Sequence, residues 1–150
     1  MQFEGKEQFS ASPESVWEFV TDPERVSRCI PGLESVAPST DPTVHELVVR
    51  SKVGPVQQIF DLKLAYTLVK APNEARLSIR GKGRDGSYVG GSSYMHLKEL
   101  DEAGTEMEWS FVIALTGQLA SLASRYVDPV FRKLSHEFLT AVSSELQGAT

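Results

Sequence analysis

A single cysteine, Cys29, is the only thiol in this sequence, so no internal disulfide can form and a reducing compartment is expected. Cys29 itself reads as a small apolar helix residue, with a catalytic thiol as the alternative. Long apolar runs are missing as well. The longest, Phe111 to Leu115, falls far short of the ~20 residues that cross a bilayer as a helix. The opening Met1-Gln2-Phe3-Glu4-Gly5-Lys6-Glu7 lacks the apolar stretch of a secretory leader. The expected location is therefore the cytoplasm. Positive charge is also scarce: a net charge of -5 leaves no surplus of Lys and Arg to neutralise phosphates, which argues against nucleic acid as a partner. No G-x-S-x-G occurs, no two of His45, His96 and His136 stand at i,i+4, and no cysteine cluster accompanies them. No metal, cofactor or catalytic constellation is expected.

What is present is punctuation. With 150 residues the chain is most economically one domain spanning 1–150, large enough to bury a real core. Phe3 to Ala11 alternates as a first strand. Ser12-Pro13-Glu14-Ser15 then sets a cap, a first-turn proline and an acid in the order that starts a helix, and Thr21-Asp22-Pro23-Glu24 repeats the signal. Two short helices are expected, the second running from Pro23 to about Cys29 and stopped by Pro31-Gly32. From there the pattern is one of hairpins. Strands are expected at Leu33–Ala37, Val44–Val53, Val56–Val69, Ala75–Lys82, Ser87–Glu99 and Glu106–Leu115. Between them stand Ser39-Thr40-Asp41-Pro42, Gly54-Pro55, Ala71-Pro72-Asn73, Arg84-Asp85-Gly86 and Asp101-Glu102-Ala103-Gly104, each with turn chemistry.

The last long stretch, Gly117 to Leu146, has helical periodicity. At 100° per residue from Leu119, one stripe holds Ala120, Ala123, Val127, Val130, Phe131, Leu134, Phe138 and Ala141. Arg125, Asp128, Arg132 and His136 fall opposite, as a solvated charged face. Strand parity supplies the other surface. Val56, Phe60, Leu62, Leu64, Tyr66 and Leu68 share a face, as do Met107, Trp109, Phe111, Ile113 and Leu115. Leu77, Ile79, Val89, Gly91, Ser93, Met95 and Leu97 continue it in the strands between. The fold class expected is α+β: a curved antiparallel sheet of about seven strands wraps a long C-terminal helix, with two short helices after the first strand, a helix-grip arrangement. One helix seldom fills the concavity of such a sheet, so a pocket is expected. Its candidate lining is Phe60, Leu64, Tyr66, Leu77, Ile79, Met95, Trp109, Phe111, Ala120, Ala123 and Val127. In this reading Phe131, Leu134 and Phe138 pin the C-terminal half of the helix, and Ala120 and Ala123, opposite Gly91 and Ser93, leave its N-terminal half hollow. Leu119, Leu122 and Tyr126 lie on the flank of the stripe, either rimming the pocket, meeting a partner or buried under a neighbour.

Two features invite sharper readings. Gly81-Lys82-Gly83-Arg84-Asp85-Gly86 spells G-x-G-x-x-G, yet a phosphate site needs a helix next, and Ser87-Tyr88-Val89-Gly90-Gly91-Ser92 is a poor helix. A glycine-rich hairpin is expected instead. Of the three histidines only His45 has the parity to face inward, with Leu47 and Val49.

Val16-Trp17, Asp22-Pro23 with Cys29-Ile30-Pro31-Gly32, Val53-Gly54-Pro55-Val56, Gly81-x-Gly83 with Gly86 and Gly91, Gly104-Thr105 and Gly117-Gln118-Leu119-Ala120 together resemble the carbon monoxide dehydrogenase G-subunit family. That family belongs to the polyketide cyclase, START and Bet v 1-like (SRPBCC) helix-grip superfamily. The resemblance implies a non-catalytic accessory protein with an apolar cavity for a quinone or lipid-like ligand. It implies a molybdenum-containing CO dehydrogenase-type enzyme as partner and a peripheral position at the inner face of the membrane. Many members carry a membrane-associating tail after the long helix, while this sequence reads only to Thr150. Leu62 and Gln58 stand where glycine is common in the family, which implies a narrowed or reshaped cavity. Two alternatives stay open: a partner-docking protein whose pocket is incidental, and an enzyme of the polyketide cyclase or hydrolase kind relying on Tyr66 and His45.

Overall fold

A computed structural model describes residues 1–148 except Pro38, Ser39, Thr40, Pro42, Gly54, Glu102, Ala103, Ala123, Ser124 and Val127. The expected turn positions Ser39-Thr40, Pro42, Gly54 and Glu102-Ala103 thus lie outside the described residues. The chain order is β1 (Gln2–Phe9), α1 (Pro13–Val20), α2 (Pro23–Arg28), β2 (Leu33–Val36), β3 (Val44–Val53), β4 (Val56–Lys70), β5 (Glu74–Gly83), β6 (Tyr88–Glu99), β7 (Thr105–Thr116), α3 (Gln118–Leu122) and α4 (Asp128–Gly148).

The start of each short helix follows from its capping residues. Ser12 accepts from Ser15 N at 3.2 Å ahead of Pro13, and Asp22 accepts from Glu24 N at 3.1 Å and Arg25 N at 3.4 Å ahead of Pro23. Both arrangements satisfy amides that lack a helical partner. After α2 the chain turns through Gly32 at φ 80. A Cβ there would lie 2.0 Å from the carbonyl oxygen of Arg50, so only glycine lets β2 dock beside β3.

All seven strands form one antiparallel sheet in the order β1-β7-β6-β5-β4-β3-β2. Register follows the alternation: Phe3 opposes Phe111, Phe111 opposes Ser93, Ser93 opposes Leu77, and Leu77 opposes Tyr66. One row of side chains therefore crosses the concave face of five strands. The hairpin from β5 to β6 contains the G-x-G-x-x-G letters. Gly86 lies at φ 95 and Gly83 N donates to Ser87 O at 2.7 Å. A strand follows, not a helix, so the glycines serve a turn.

The expected single C-terminal helix is instead two helical segments, α3 and α4, with Arg125 and Tyr126 in a wide π-type turn between them. Such a turn holds more residues than an α-turn and resets the helical phase. A wheel drawn unbroken from Leu119 to Leu146 therefore mixes two phases. In the structure Leu119 is buried and Ala120 is exposed, whereas α4 buries Leu139, Val142 and Leu146.

Among the described residues the buried apolar side chains form three clusters. The largest joins Phe9 of β1, Val16 and Phe19 of α1, Val26 and Cys29 near α2, Met95, Leu97 and Met107 of the sheet, and Leu139, Val142 and Leu146 of α4. A second gathers Leu62, Val89, Leu115, Leu122 and Tyr126 around buried Phe60 and Leu119. A third packs Ile30, Leu33, Leu62, Leu77 and Ile79 on Leu47, Val49 and Leu64, and shares Leu62 with the second. One contiguous core is usual in a domain of this size. Here the largest cluster stands apart from the two that Leu62 joins.

Candidate functional site: an apolar cavity under the C-terminal helix

A cavity of about 380 Å³ lies between the concave sheet and α4, within the range of small-molecule sites. Its floor is Val49 and Ser51 of β3, Phe60, Leu62, Leu64 and Tyr66 of β4, Ala75, Leu77 and Ile79 of β5, Val89, Ser93 and Met95 of β6, and Met107, Trp109, Phe111, Ile113 and Leu115 of β7. The roof is Leu119 with Val130, Phe131, Leu134, Ser135, Phe138, Leu139 and Val142, at three- and four-residue steps along α4. Val20, Val26, Ile30 and Pro31 form the side. Among the described residues no carboxylate, ammonium, guanidinium or imidazole contributes to the wall.

Eight expected residues, Phe60, Leu64, Tyr66, Leu77, Ile79, Met95, Trp109 and Phe111, stand on this wall. Ala120 does not: it is exposed on α3, because the turn at Arg125 and Tyr126 shifts the phase and Leu119 faces inward in its place. Ala123 and Val127 lie outside the described residues. Gly91 is absent from the wall while its neighbour Ser93 is on it. The expected division of the helix, hollow under its N-terminal half and packed under its C-terminal half, is kept with other residues in the two roles. Phe131, Leu134 and Phe138 form the roof of the cavity, and the C-terminal half is held by Leu139, Val142 and Leu146. Phe131 still reaches the sheet, stacking on Phe3 at 4.1 Å between centroids and meeting Phe111 at 4.9 Å. Leu119 is 2% exposed, with Leu122 and Tyr126 packed against its cluster. Of the flank residues, Leu119 is thus buried on the cavity wall, and Leu122 and Tyr126 are half-buried beside it. Wall residues that the sequence did not single out include Val49 and Ser51, which the alternation of β3 signals, and Val20, Val26 and Ile30, which reach the wall only through the fold.

Polar atoms are few and several are already engaged. Tyr66 Oη donates to the carbonyl of Val20 at 2.5 Å, so its one proton is committed to the end of α1 and only its lone pairs remain. Burial, and then the charge of Asp22, push the phenol well above its ordinary range. His45 shares the strand face of Leu47 but is off the wall, with Nδ1 2.8 Å from its neighbour Val44 O. His136 is exposed on α4 and His96 half-buried on β6. Cys29 caps α2 and is buried, and that burial raises its thiol pKa. Leu62 is on the wall, occupying the space that a Cβ at Gly81 would need, 2.3 Å from Cδ2. Gln58 is buried off the wall and bonds to Asp85, whose carboxyl is held low chiefly by the Ser87 amide at 2.9 Å. Trp109 Nε1 is buried with no hydrogen-bond partner.

A curved antiparallel sheet gripping a C-terminal helix over an apolar cavity defines a Bet v 1-like, ligand-binding protein of the SRPBCC class. Solved structures agree on the fold. A conserved protein from Geobacillus kaustophilus superposes with a TM-score of 0.89 at 19% identity, covering 99% of this chain and 97% of its own. The Zhui aromatase/cyclase from Streptomyces sp. R1128 gives 0.69 at 15% identity, covering 98% and 94%. Ara h 8.0201 gives 0.65 at 15% identity, covering 99% and 98%. Comparison with curated protein sequences finds no match. The family model for the carbon monoxide dehydrogenase G-subunit (CoxG) matches residues 5–147, and the chain belongs to that family. No helix of the described residues is long and apolar enough to cross a membrane.

Proposed function

We propose that this chain is a non-catalytic accessory protein that holds a quinone or lipid-like molecule in the cavity and assists a molybdenum-containing CO dehydrogenase-type enzyme. The observation that carries the reading is the uncharged apolar cavity enclosed between the concave sheet and α4. A domain that needed only to fold would gain by filling it. Burying about 300 Å² of apolar ligand surface contributes roughly 7 kcal/mol, and association costs of several kcal/mol leave an affinity of about millimolar from apolar burial alone. The enzyme alternative finds less support, since the only ionisable group on the described wall is Tyr66 and acid-base chemistry needs a second. Family membership supports a dehydrogenase as partner. The fold's likeness to an aromatase/cyclase is a likeness of fold only.

Titration of short-chain menaquinone and ubiquinone analogues against Trp109 fluorescence, in a Trp17→Phe background, tests the ligand. Saturable quenching with midpoints of about millimolar or tighter is expected. Flat titrations for every analogue, with an intact near-ultraviolet circular dichroism spectrum, sink this reading. Co-purification with the dehydrogenase tests the partner separately.

A further inference from the structure

Three serines interrupt the apolar wall: Ser51 on β3, Ser93 on β6 and Ser135 on α4. Their hydroxyls have no hydrogen-bond partner among the described residues. Other hydroxyls on helices turn back to their own backbone. Thr21 Oγ1 donates to Trp17 O at 2.7 Å, Ser27 Oγ to Pro23 O at 2.5 Å and Ser121 Oγ to Gln118 O at 2.7 Å. Ser135 makes no such bond. A hydroxyl among apolar side chains is costly until something pairs with it.

Both Ser93 and Ser135 can be reached from the cavity. Ser93 is on the concave face of β6, opposite Leu77 and Phe111, which line the same floor. Ser135 lies inside the inner stripe of α4, since at 100° per residue it falls between Val142 and Leu139, two residues of the roof. Among the described residues only Trp109 Nε1 is a fully covered side-chain polar atom without a partner. The oxygens of the half-buried Ser93 and Ser135, unpaired as they are, therefore keep open surface, and the space in front of them is the cavity. The two also flank one contact. Phe111, beside Ser93 across the ladder, meets Phe131 at 4.9 Å between centroids, and Ser135 stands one turn beyond Phe131. Ser51 is three strands from Ser93, roughly 14 Å along the sheet.

No cation or anion lines the described wall, and a charge buried unpaired is costly, so the polar group that meets these hydroxyls is neutral. A carbonyl oxygen has two lone pairs and can accept from both at once. Tyr66 cannot replace them as a donor, because its proton goes to Val20. Resting on the ligand-binding reading above, we propose that Ser93 and Ser135 are the hydrogen-bonding pair of the cavity. They hold the carbonyl oxygen of a neutral, otherwise apolar ligand between floor and roof, beside Phe111 and Phe131.

Displacement of the neutral fluorophore N-phenyl-1-naphthylamine by methyl nonyl ketone and by n-undecane tests this in wild type, Ser93→Ala, Ser135→Ala and the double variant. The readout is the ratio of ketone to alkane affinity, in which the different hydration of the two probes cancels between proteins. Each single variant is expected to lower the ratio about fivefold, the worth of one neutral hydrogen bond, and the double variant at least about tenfold, with alkane affinity nearly unchanged. The infrared carbonyl stretch of the bound ketone is expected to move to higher frequency in the double variant, as a carbonyl freed from its donors does. An unchanged ratio in either single variant, or a larger fall in Ser51→Ala than in both, overturns the proposal, while alkane binding leaves the cavity reading standing. Failure of both probes and the fluorophore to bind folded wild type overturns both. Should the double variant not fold, the stretch in wild type decides against that of the ketone in dry alkane solution: a lower frequency supports the proposal and an equal one overturns it.

Discussion

Beneath the C-terminal half of α4, Leu139, Val142 and Leu146 meet Val16 and Phe19 of α1 and Leu97 and Met107 of the sheet. Beneath its N-terminal half, Val130, Phe131 and Leu134 face a cavity of about 380 Å³. The two halves carry similar side chains at similar spacing. What differs is the opposite wall. α1 and α2 fill the concavity of the sheet at one end, and at the other only Leu119 and its neighbours close it. The first half therefore supplies stability, and the second encloses space that a ligand can take.

Truncation sets the two halves against each other most strongly. Leu146, 3% exposed, is expected to cost about 3 kcal/mol as Leu146→Ala, since burial is lost and a new void is made. Leu134→Ala enlarges a void already present and is expected to cost less than about 1.5 kcal/mol in urea denaturation. Equal costs would break the contrast.

Gly5→Ala comes next. Its Cβ meets the Trp109 ring at 2.7 Å, so the indole must tilt toward the cavity. A loss of about 2 kcal/mol is expected, together with a changed Trp109 emission and weaker ligand binding; a silent substitution would show that the floor is loose.

Tyr66→Phe removes the bond to Val20 and is expected to cost about 1 kcal/mol at neutral pH. Because burial and Asp22 raise the phenol, the folded state keeps its proton where the unfolded chain loses it. This contribution is full below the ordinary tyrosine pKa of about 10 and fades as pH rises beyond it. The alkaline decline in stability should be shallower in the variant, and parallel declines would show that Tyr66 is not its source.

Smallest in stability is Ser93→Leu, which adds bulk on the cavity floor. A change of less than about 1 kcal/mol is expected, with ligand affinity lost by more than about tenfold. A large destabilisation would mean there was no room beside Ser93.

Most strands were legible because local signals agree. Val44–Val53 matches its expected span, and the other ends differ by a residue or two where turns set them. Parity likewise placed Trp109, Phe111, Leu77 and Met95 on the concave face, where the cavity is. The roof differs from its periodicity for two reasons. A single helical phase was carried across Arg125 and Tyr126, which moved Ala120 inward. Bulk at Phe131, Leu134 and Phe138 also predicts filled space, whereas these side chains roof the cavity. Side-chain size says how far a residue reaches, not whether anything stands opposite.

By itself the sequence determined the order of elements, their caps and turns, and which side of each strand is apolar, because these depend on neighbours within a few residues. Only the tertiary structure decided which apolar side chains touch and which surround a void, that α3 and α4 run in different phases, and that Trp109 Nε1 is buried without an acceptor. Those depend on distances between segments far apart in the chain, and periodicity reports the direction of a side chain but not what lies at its end.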